Sequence, residues 1–579
     1  MWLAKELSPQ LDVASPEAFP ISHLPLPKVI KKLLFIKGIT DLDKYEQLIN
    51  PKLSSLADPY LLLNMKAAVE RVYQSYLLQE KICVYADFDL DGSSGLALMK
   101  EGLEQLGFQN IICYQPKRLS QGYGFHAEVV EELSKENVKL IITIDVGITA
   151  HRAVATANLL KIDTIITDHH LPDDHLPEAT FIVNPNQKAC TSGLGYLCGA
   201  GVAFYFLRAL ARKFKEEKQE SVQRLDLKKI LDYLTLATLT DMVPLIKDNR
   251  TLVKFGLKQF ETTDRPGFRH LLEHLNLSHR PLNAQDISIK FAPKLNALSR
   301  MENGILPIDL LTEKDSDKAA GLIGRVLENN EDRLQKQFDG ETVAKKLVKE
   351  QSEDDFVFIA AEEFHRGVVG IIATKVSQEL NKPAFIGALN PEDGNVVGSC
   401  RLPPNSLLHL IEIMKSAESK FLRFGGHQMA AGFEFKYTDL EEIRQLFRGY
   451  FKELKKGTTI FTKFYDVGIQ WEELNEKTMT YLDQLGPFGQ SFDLPLFNLQ
   501  DSIVQSVRVL KGGHLKLSLS NVAKTQNAEA LLFSPPMDRL FYEELIGLRC
   551  DVIAELQWNY YFGRKIQLLV KDIIPRGQA

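Results

Sequence analysis

Short apolar runs alternate with amphipathic stretches from about residue 65 to residue 185. Apolar residues that recur every three or four positions predict helices, and short apolar runs between turn signals predict strands. Regular alternation of the two is typical of an α/β fold with a doubly wound parallel sheet. We predict strands at 81–85, 110–114, 138–144, 162–167 and 180–183, with helices at 65–78, 94–106, 126–135 and 150–160.

The pattern changes twice further along the chain. Residues 315–352 predict one long helix, or two helices joined near Gly340, that bridges two domains. A second α/β segment follows, and short β-rich runs from about residue 459 predict a small β-barrel. We therefore divide the chain into an N-terminal extension, a parallel-sheet domain, a connecting helix, a second α/β domain and a barrel, at 1–60, 61–313, 314–353, 354–457 and 458–579.

Acidic residues gather where the predicted strands end. Three aspartates at alternate positions follow the first strand, one aspartate follows the third, and an Asp-His-His triplet follows the fourth. Since the carboxyl ends of parallel strands share one edge of a sheet, we expect these side chains to converge. A further aspartate ends the apolar helix predicted at 227–239. The candidate metal ligands are Asp87, Asp89, Asp91, Asp145, Asp168, His169, His170 and Asp241.

This ligand set indicates a particular class of metal. Taken singly, the aspartate triplet could be a solvated turn and Asp241 a surface residue, but convergence of several strand ends argues against that. So many carboxylates do not match the four thiolate-rich ligands of a structural zinc site. Hard oxygen ligands with some imidazole favour Mn²⁺ or Mg²⁺. The set suffices for two ions bridged by one aspartate, the usual apparatus for hydrolysis at phosphorus.

Basic residues beside small residues predict a phosphate-binding site. A guanidinium group binds phosphate through two parallel hydrogen bonds, and neighbouring glycine and serine allow close approach. Each arginine could instead be an ordinary surface residue. His427 in a Gly-Gly-His turn is a candidate donor to the transition state, or else caps the turn. The candidate phosphate-binding residues are Arg118, Tyr123, Arg300, Ser399 and Arg401.

Composition narrows the compartment and the partners. The 579 residues carry a formal net charge of −6, which argues against a wholly basic nucleic-acid coat but allows a local basic channel. Six dispersed cysteines without a Cys-x-x-Cys pair indicate buried thiols in a reducing cytosol. Without an apolar run of about 20 residues or a basic, apolar leader, we expect no membrane association and a cytoplasmic location.

Several ordered motifs give the chain a resemblance to a known family. It resembles the DHH phosphoesterase superfamily and, within it, the RecJ family of single-strand-specific exonucleases. The resemblance extends from about residue 50 to the C-terminus. The motifs that carry it are Asp87-Phe88-Asp89-Leu90-Asp91-Gly92, Asp168-His169-His170, Asn184-Pro185-Asn186, Asp241-Met242-Val243-Pro244, Gly425-Gly426-His427 and Leu485-Gly486-Pro487-Phe488-Gly489.

The resemblance implies a DHH domain, a connecting helix, a DHH-associated domain and an OB-fold barrel. It implies 5′→3′ degradation of single-stranded DNA to mononucleotides with Mn²⁺ or Mg²⁺, in recombination and repair. A helicase and a single-strand-binding protein would be partners, and we expect the chain to act as a monomer. DNA phosphates would be held by Arg118, Arg300, Ser399 and Arg401, and catalysis would fall to Asp168, His169, His170 and His427.

Two alternatives stay open at this point. A DHH phosphodiesterase that cleaves short oligoribonucleotides or cyclic dinucleotides would share the metal motifs but generally lack the barrel. An inactive DNA-binding scaffold would not need eight metal-type ligands. A long single strand would need aromatic stacking positions on the barrel, and the candidates for these are Trp558, Tyr560, Tyr561 and Phe562.

Overall fold

A computed structural model describes residues 2–5, 19–118, 120–301, 304–349, 354–404, 406–454, 463–561 and 563–576. The chain divides into two compact units. We call residues 57–244 and 255–458 the sheet unit, and residues 1–56, 245–254 and 459–579 the barrel unit. Within the described residues, no helix combines the length and apolar character needed to cross a membrane.

The strands and helices are numbered in chain order. The strands are β1 (Trp2–Ala4), β2 (Ile82–Ala86), β3 (Ile111–Tyr114), β4 (Leu140–Ile144), β5 (Asp163–Thr167), β6 (Phe181–Val183), β7 (Val357–Ala361), β8 (Ala384–Leu389), β9 (Asn395–Arg401), β10 (Phe421–Gly426), β11 (Ala430–Lys436), β12 (Lys463–Tyr465), β13 (Val467–Ile469), β14 (Phe497–Val509), β15 (Leu515–Asn521), β16 (Asn527–Leu532), β17 (Arg549–Asn559) and β18 (Lys565–Pro575). The helices are α1 (Lys28–Ile36), α2 (Leu42–Ile49), α3 (Met65–Leu77), α4 (Leu90–Leu106), α5 (Ala127–Lys135), α6 (His151–Leu159), α7 (Gly199–Glu216), α8 (Leu231–Thr240), α9 (Lys247–Glu261), α10 (Pro266–His274), α11 (Ala292–Met301), α12 (Pro307–Leu311), α13 (Ser316–Lys349), α14 (Val369–Leu380), α15 (Leu410–Lys415), α16 (Leu440–Leu454), α17 (Glu476–Leu485) and α18 (Arg539–Glu544).

A five-stranded parallel sheet organises the first half of the sheet unit. Its strand order is β3-β2-β4-β5-β6, and every pairing is parallel. Every residue of β2 and β4 is buried, as expected for central strands that helices cover on both faces. Helices α5 and α6 pack on one face of the sheet. Helix α4 packs against both α7 and α8. The predicted doubly wound parallel sheet is confirmed.

The second α/β segment of the sheet unit is a mixed sheet. Its strand order is β10-β11-β9-β8-β7, and only β7 and β8 run parallel. Strands β10 and β11 were not predicted, because their glycine-rich sequence interrupts the apolar alternation. Aromatic rings fill the core on one side, among them Phe356, Phe358, Phe385, Phe433, Phe435 and Phe447.

Helix α13 joins the two α/β segments as one uninterrupted helix of 34 residues. The sequence left open whether a break occurs near Gly340. That glycine lies inside the helix and is buried, and a β-carbon built on it would approach Ile372 Cδ1 to 2.5 Å. Gly340 therefore serves close packing on α14 and does not end the helix.

The barrel unit contains a closed five-stranded barrel. Strands β14, β15, β16, β18 and β17 pair in that order, and β17 pairs back to β14. Only β16 and β18 run parallel in this ring. Closure leaves no open edge in the ring, and the predicted small barrel is confirmed. The predicted run from residue 460 becomes β12 and β13, and residues 460–462 lie outside the described part.

The N-terminal residues form part of the barrel unit. Strand β1 pairs with β12 in parallel, with Leu3 opposite Phe464. Helix α1 buries Ile30, Leu33 and Leu34 in the same core as the barrel residues. Residues this far apart in sequence meet through tertiary packing, which no local pattern encodes.

Candidate metal centre

Three of the predicted acids lie side by side at one edge of the parallel sheet. Asp87 directly follows β2, Asp145 follows β4 and Asp168 follows β5, which are neighbouring strands. The backbone N–H of Asp87 donates to Ile144 at 3.2 Å, and that of Asp145 donates to Thr167 at 3.0 Å. The sheet ladder thus continues into the acids, so their side chains start from adjacent positions at the carboxyl edge.

The other two acids of the first motif belong to helix α4. Asp89 is its N-cap, and its carboxylate accepts hydrogen bonds from the N–H groups of Asp91 at 2.9 Å and Gly92 at 3.0 Å. Helix α4 therefore starts at Leu90, four residues before the predicted start. A β-carbon on Gly92 would overlap the carbonyl oxygen of Asp87, so this turn requires glycine.

Asp91 is held from the opposite side by the N-terminus of α7. Its two carboxylate oxygens accept hydrogen bonds from the N–H groups of Gly199 at 2.6 Å and Ala200 at 2.8 Å. Unpaired N–H groups and the helix dipole favour a carboxylate at this position. Gly199 also lies directly against Asp145, whose backbone has a left-handed φ of 62°. The start of α7, which is far from both residues in sequence, thus helps to fix the carboxylates of Asp91 and Asp145.

His169 presents a bare ring nitrogen to three carboxylates. Its Nε2 lies 3.1 Å from Asp145 Oδ1, 3.6 Å from Asp241 Oδ2 and 3.9 Å from Asp91 Oδ2. The other ring nitrogen bonds to the backbone of Leu197, so Nε2 is left as the acceptor. A lone pair that faces carboxylate oxygens in a buried place is repelled by them unless a metal cation or a proton lies between.

Asp168 is satisfied by protein donors alone. Its Oδ1 accepts from the N–H groups of His169 and His170, at 2.7 and 3.1 Å, and from His170 Nδ1 at 2.8 Å. Its Oδ2 accepts from the N–H of Ile148 at 3.0 Å. Although Asp168 was predicted to bind a metal, this geometry favours a role in orienting His170, and the metal role stays a prediction.

Amide side chains hold the backbone that carries the candidate ligands. Asn184 donates to the carbonyl of His170, and Asn186 donates to the carbonyl of His169. Gln115 directly follows β3, is buried, and donates to the carbonyl of Asp87 and to Ser93 Oγ. Gln115 was not predicted, because an amide is not a typical ligand of a divalent metal, although it occupies the same strand-end position as the acids.

Three groups of side chains have the spacing of a metal site. In each group, one ligand atom per residue lies within 4.8 Å of the others. Four potential ligand atoms are buried without a hydrogen-bonding partner: Asp87 Oδ1, Asp145 Oδ1, His169 Nε2 and Asp241 Oδ2. Orphaned buried acceptors of this kind are costly unless a cation satisfies them, so the residues fit divalent ions. The groups are Asp87/Asp89/Asp145, Asp91/His169/Asp241 and Asp145/His169/His170.

The electrostatics of the acids agree with a cation site. Burial and the charge of Asp89 raise the pKa of Asp87 well above its usual range. Burial and neighbouring aspartates do the same to the pKa of Asp145 and raise the pKa of Asp241 to about 9. Burial and Asp89 raise the pKa of Asp91 to about 6. Without a cation, these carboxyls hold protons at a higher pH than ordinary aspartates do.

The two histidines titrate in opposite directions. Burial and the charge of His170 lower the pKa of His169 to about 4, so this imidazole is neutral at neutral pH, as a metal ligand has to be. Burial lowers the pKa of His170, but the hydrogen bond and charge of Asp168 outweigh it and raise that pKa to about 9. His170 is therefore a cationic donor at neutral pH.

A cluster of arginines adjoins the acids within the sheet unit. Burial, then repulsion from Arg118, Arg333 and Arg401, lowers the pKa of Arg300 to about 9. Neutral groups accept their described hydrogen bonds: Arg300 donates to the Gly367 carbonyl, and Arg401 donates to Ser399 Oγ at 2.9 Å. Positive charge gathered in this way favours an anion. Arg333 on α13 was not predicted, since its surroundings in sequence resemble an ordinary solvated helix face.

The remaining predicted residues divide between the centre and its surroundings. Tyr123 reaches His170, with its hydroxyl 3.4 Å from Nδ1 and the two rings edge to face at 5.7 Å. The N–H of His427 donates to Ala430 in the turn between β10 and β11. The charge of His427 contributes to the lowered pKa of His169, so the two lie within electrostatic range.

The predicted stacking residues lie on the barrel unit. The Trp558 indole N–H donates to Asp483 at 2.8 Å, and the Arg564 guanidinium covers its ring at 3.8 Å. Tyr561 is 82% exposed, and Phe562 lies outside the described residues. A stacking role for these aromatic groups stays a prediction.

Comparisons with known proteins now bear on this geometry. Residues 81–238 match the model of the DHH family, N-terminal domain. Residues 354–453 match the DHHA1 domain, and residues 465–572 match the RecJ OB domain. The first match covers most of the centre, the second covers Ser399, Arg401 and His427, and the third covers the barrel.

Similar proteins include several single-stranded-DNA-specific exonucleases named RecJ. The single-stranded-DNA-specific exonuclease RecJ of Salmonella typhimurium is 30% identical over 585 residues, which cover 96% of this chain and 98% of the relative. The Mn²⁺ complex of RecJ from Thermus thermophilus superposes with a TM-score of 0.77 at 24% identity, covering 96% of this chain and 77% of the other. A manganese-bound exonuclease RecJ gives 0.57 at 29% identity, covering 67% and 94%.

Proposed function

We propose a function for this chain from the family to which it belongs, the RecJ family of single-stranded-DNA-specific exonucleases. In this proposal it removes mononucleotides from the 5′ end of single-stranded DNA. The observation that carries the proposal is the set of buried, unpartnered ligand atoms at the sheet edge, next to a cluster of arginines bound to neutral groups. A cation site beside an anion site suits a phosphodiester substrate.

The metal centre is proposed to hold two ions. Mn²⁺ or Mg²⁺, when bound there, lowers the pKa of a water molecule and neutralises charge on the phosphate. Asp145 and His169 each occur in two of the three ligand groups, and Asp145, whose carboxylate has two oxygens, would be able to serve both ions. Solved RecJ structures with Mn²⁺ and Mg²⁺ support the choice of metal. The proposed ligands are Asp87, Asp89, Asp91, Asp145, His169 and Asp241.

The protein groups around the ligands move the protons. In hydrolysis, a water oxygen bonds to phosphorus, the bond from phosphorus to the 3′ oxygen breaks, and the water gives up a proton to a carboxylate of the centre. The 3′ oxygen needs a proton in return. His170, kept protonated by Asp168, is the proposed donor of that proton. His427 is the proposed donor of a hydrogen bond to the phosphate.

The arginine cluster is proposed to set the polarity of digestion. Arg118, Arg300 and Arg401, with Ser399, would bind a terminal phosphate of the strand. Tyr123, next to His170, would contact the first nucleotide. A terminal phosphate fixed one nucleotide away from the ions places the first phosphodiester in the centre, so each cycle releases one nucleotide.

The presence of the barrel argues against the alternative function of a phosphodiesterase on short substrates. A phosphodiesterase of short oligoribonucleotides or cyclic dinucleotides needs no barrel, whereas residues 465–572 match the RecJ OB domain. The set of orphaned ligand atoms speaks against an inactive scaffold. Action in recombination and repair, cooperation with a helicase or a single-strand-binding protein, a monomeric state and a cytoplasmic location stay predictions.

End-labelled digestion tests the proposal. Single-stranded DNA labelled at the 5′ end and incubated with Mn²⁺ should release labelled mononucleotide from the first time points, while the same strand labelled at the 3′ end should shorten gradually. Blunt duplex should resist. Release from the 3′ end, or cleavage of dinucleotides alone, would contradict the assignment.

A further inference from the structure

Phe88 lies between the first two acids of the candidate metal centre, and its ring contacts an arginine of the same unit. The residue directly follows Asp87, directly precedes Asp89 and is 8% exposed. The guanidinium of Arg118 lies over this ring, 5.2 Å from the ring centroid. A guanidinium within about 6 Å of an aromatic centroid is attracted by the electrons of the ring face. The function proposed above gives this ring no role, although it contacts a candidate phosphate-binding residue.

Hydrogen bonds hold the ring and the arginine in a fixed relation. The carbonyl of Asp87 accepts a hydrogen bond from the side chain of Gln115, which lies three residues before Arg118. On the other side of Phe88, the carboxylate of Asp89 caps helix α4. The backbone on either side of Phe88 is therefore held, and the segment that leads to Arg118 is tied to it. The ring and the guanidinium thus meet in a preset arrangement.

Arg118 is attracted by the acids and repelled by another arginine. Burial lowers its pKa, whereas the charges of Asp89 and Asp87 act in the opposite direction. Arg118 in turn contributes to the lowered pKa of Arg300. An arginine within electrostatic range of two carboxylates can form a bidentate ion pair with either one, and the oxygens that it then occupies are no longer free for a metal. The described contact of its guanidinium is instead the neutral ring of Phe88.

We propose that Phe88 is a positioning residue that keeps Arg118 apart from the metal ligands, by holding its guanidinium over the aromatic ring. This inference rests on the proposed roles of Asp87 and Asp89 as ligands and of Arg118 in phosphate binding. Without the ring face, the guanidinium pairs with one of the two acids and competes with the metal for its oxygens. One aromatic ring then separates a cation site from an anion site within a single compact unit.

Direct Mn²⁺ titration of the full-length protein without DNA tests the proposal. Free Mn²⁺, followed by its electron paramagnetic resonance signal, gives the affinity. In Phe88→Leu, which removes the ring face, we expect Mn²⁺ affinity to fall roughly five- to thirtyfold, because Arg118 then pairs with an acid. Adding Arg118→Met to this variant removes the competing cation, so the affinity should return to within about twofold of that of Arg118→Met alone. Equal weakening in Phe88→Leu and in the double variant would show that the ring only supports the turn, and would overturn the inference.

Further variants keep the test decisive. Phe88→Tyr keeps the ring face and should retain the Mn²⁺ affinity of the wild type. Tyr60→Leu is the matched control, because the Arg212 guanidinium lies 4.9 Å from the Tyr60 ring centroid, and it should leave Mn²⁺ affinity unchanged. If Phe88→Leu does not fold, pentafluorophenylalanine in place of Phe88 preserves the shape of the ring but reverses the charge of its face, and should also weaken Mn²⁺ binding. Unchanged Mn²⁺ affinity in the folded variants that lack the ring face would overturn this inference alone, whereas a wild-type protein that binds no Mn²⁺ would overturn the proposed function.

Discussion

Asp168 Oδ1 accepts a hydrogen bond from His170 Nδ1 at 2.8 Å, in addition to two backbone N–H groups. This contact raises the pKa of His170 to about 9, against the effect of burial. The pair therefore keeps an imidazolium beside the proposed metal ligands, and in this proposal one histidine binds a metal while the other holds a proton.

Removing the Asp168 carboxylate should lower the rate and move its pH dependence. In Asp168→Ala, we expect kcat to fall by at least about 10- to 100-fold. The pKa of His170 should drop from about 9 towards 6.5, so the alkaline decline of the remaining activity should begin at lower pH. A pH–rate profile of both proteins measures this. A lowered rate with an unshifted profile would show that His170 is not the donor.

The metal-free protein should lose stability as pH rises. The folded-state pKa values of Asp91 and Asp241 are raised to about 6 and about 9, so the folded state binds more protons than the unfolded one. The free energy of unfolding then decreases between about pH 4 and pH 9. Thermal melting in EDTA should reveal this slope, and Mn²⁺ should abolish it. Equal slopes in EDTA and Mn²⁺ would contradict the ligand assignment.

A methyl group at Gly92 should disrupt the turn that carries the acids. Because its β-carbon would overlap the Asp87 carbonyl, Gly92→Ala should lower the free energy of unfolding by about 1–3 kcal/mol and abolish tight Mn²⁺ binding. Gly324→Ala on α13 is the control, since no atom lies within 4 Å of its β-carbon, and it should stabilise by up to about 1 kcal/mol. Urea unfolding and Mn²⁺ titration measure both, and a Gly92→Ala protein that binds Mn²⁺ normally would refute the steric argument.

Arg401 should discriminate between phosphorylated and hydroxyl 5′ ends. Losing hydrogen bonds to a charged phosphate costs about 1.5–3 kcal/mol, so Arg401→Met should lower kcat/KM on a 5′-phosphorylated strand by roughly 10- to 100-fold. A 5′-hydroxyl strand should be nearly unaffected. Arg423→Met is the control, since that side chain is 79% exposed and pairs with Glu434. Equal losses on both strands would mean that Arg401 does not contact the terminal phosphate.

The convergence of acids at the sheet edge could be predicted from sequence because it requires only that the strands before them run parallel in one sheet. Asp87, Asp145 and Asp168 each follow an apolar run, and parallel strands bring such positions together. The same rule would have found Gln115, had amides been included among the candidates. A strand-end position therefore marks supporting residues as well as ligands.

Other features depend on contacts that no local pattern contains. That Asp168 is saturated by protein donors follows from the path of the backbone at Ile148 and His170. That Arg250 binds the Leu485–Gly489 motif requires residues more than two hundred positions apart to meet. The sequence identified the motif as a marker but could not assign its partner.

The hydrogen bonds from Gly199 and Ala200 to Asp91 have a consequence for synthesis. The centre draws on segments from Asp87 to Asp241, and one of its acids is in place only after the start of α7 has docked. We expect a nascent chain that has emerged as far as β6 to contain all five strands of the parallel sheet without a complete set of candidate ligands. We therefore expect cleavage activity to appear only late in translation, after the start of α7 has docked.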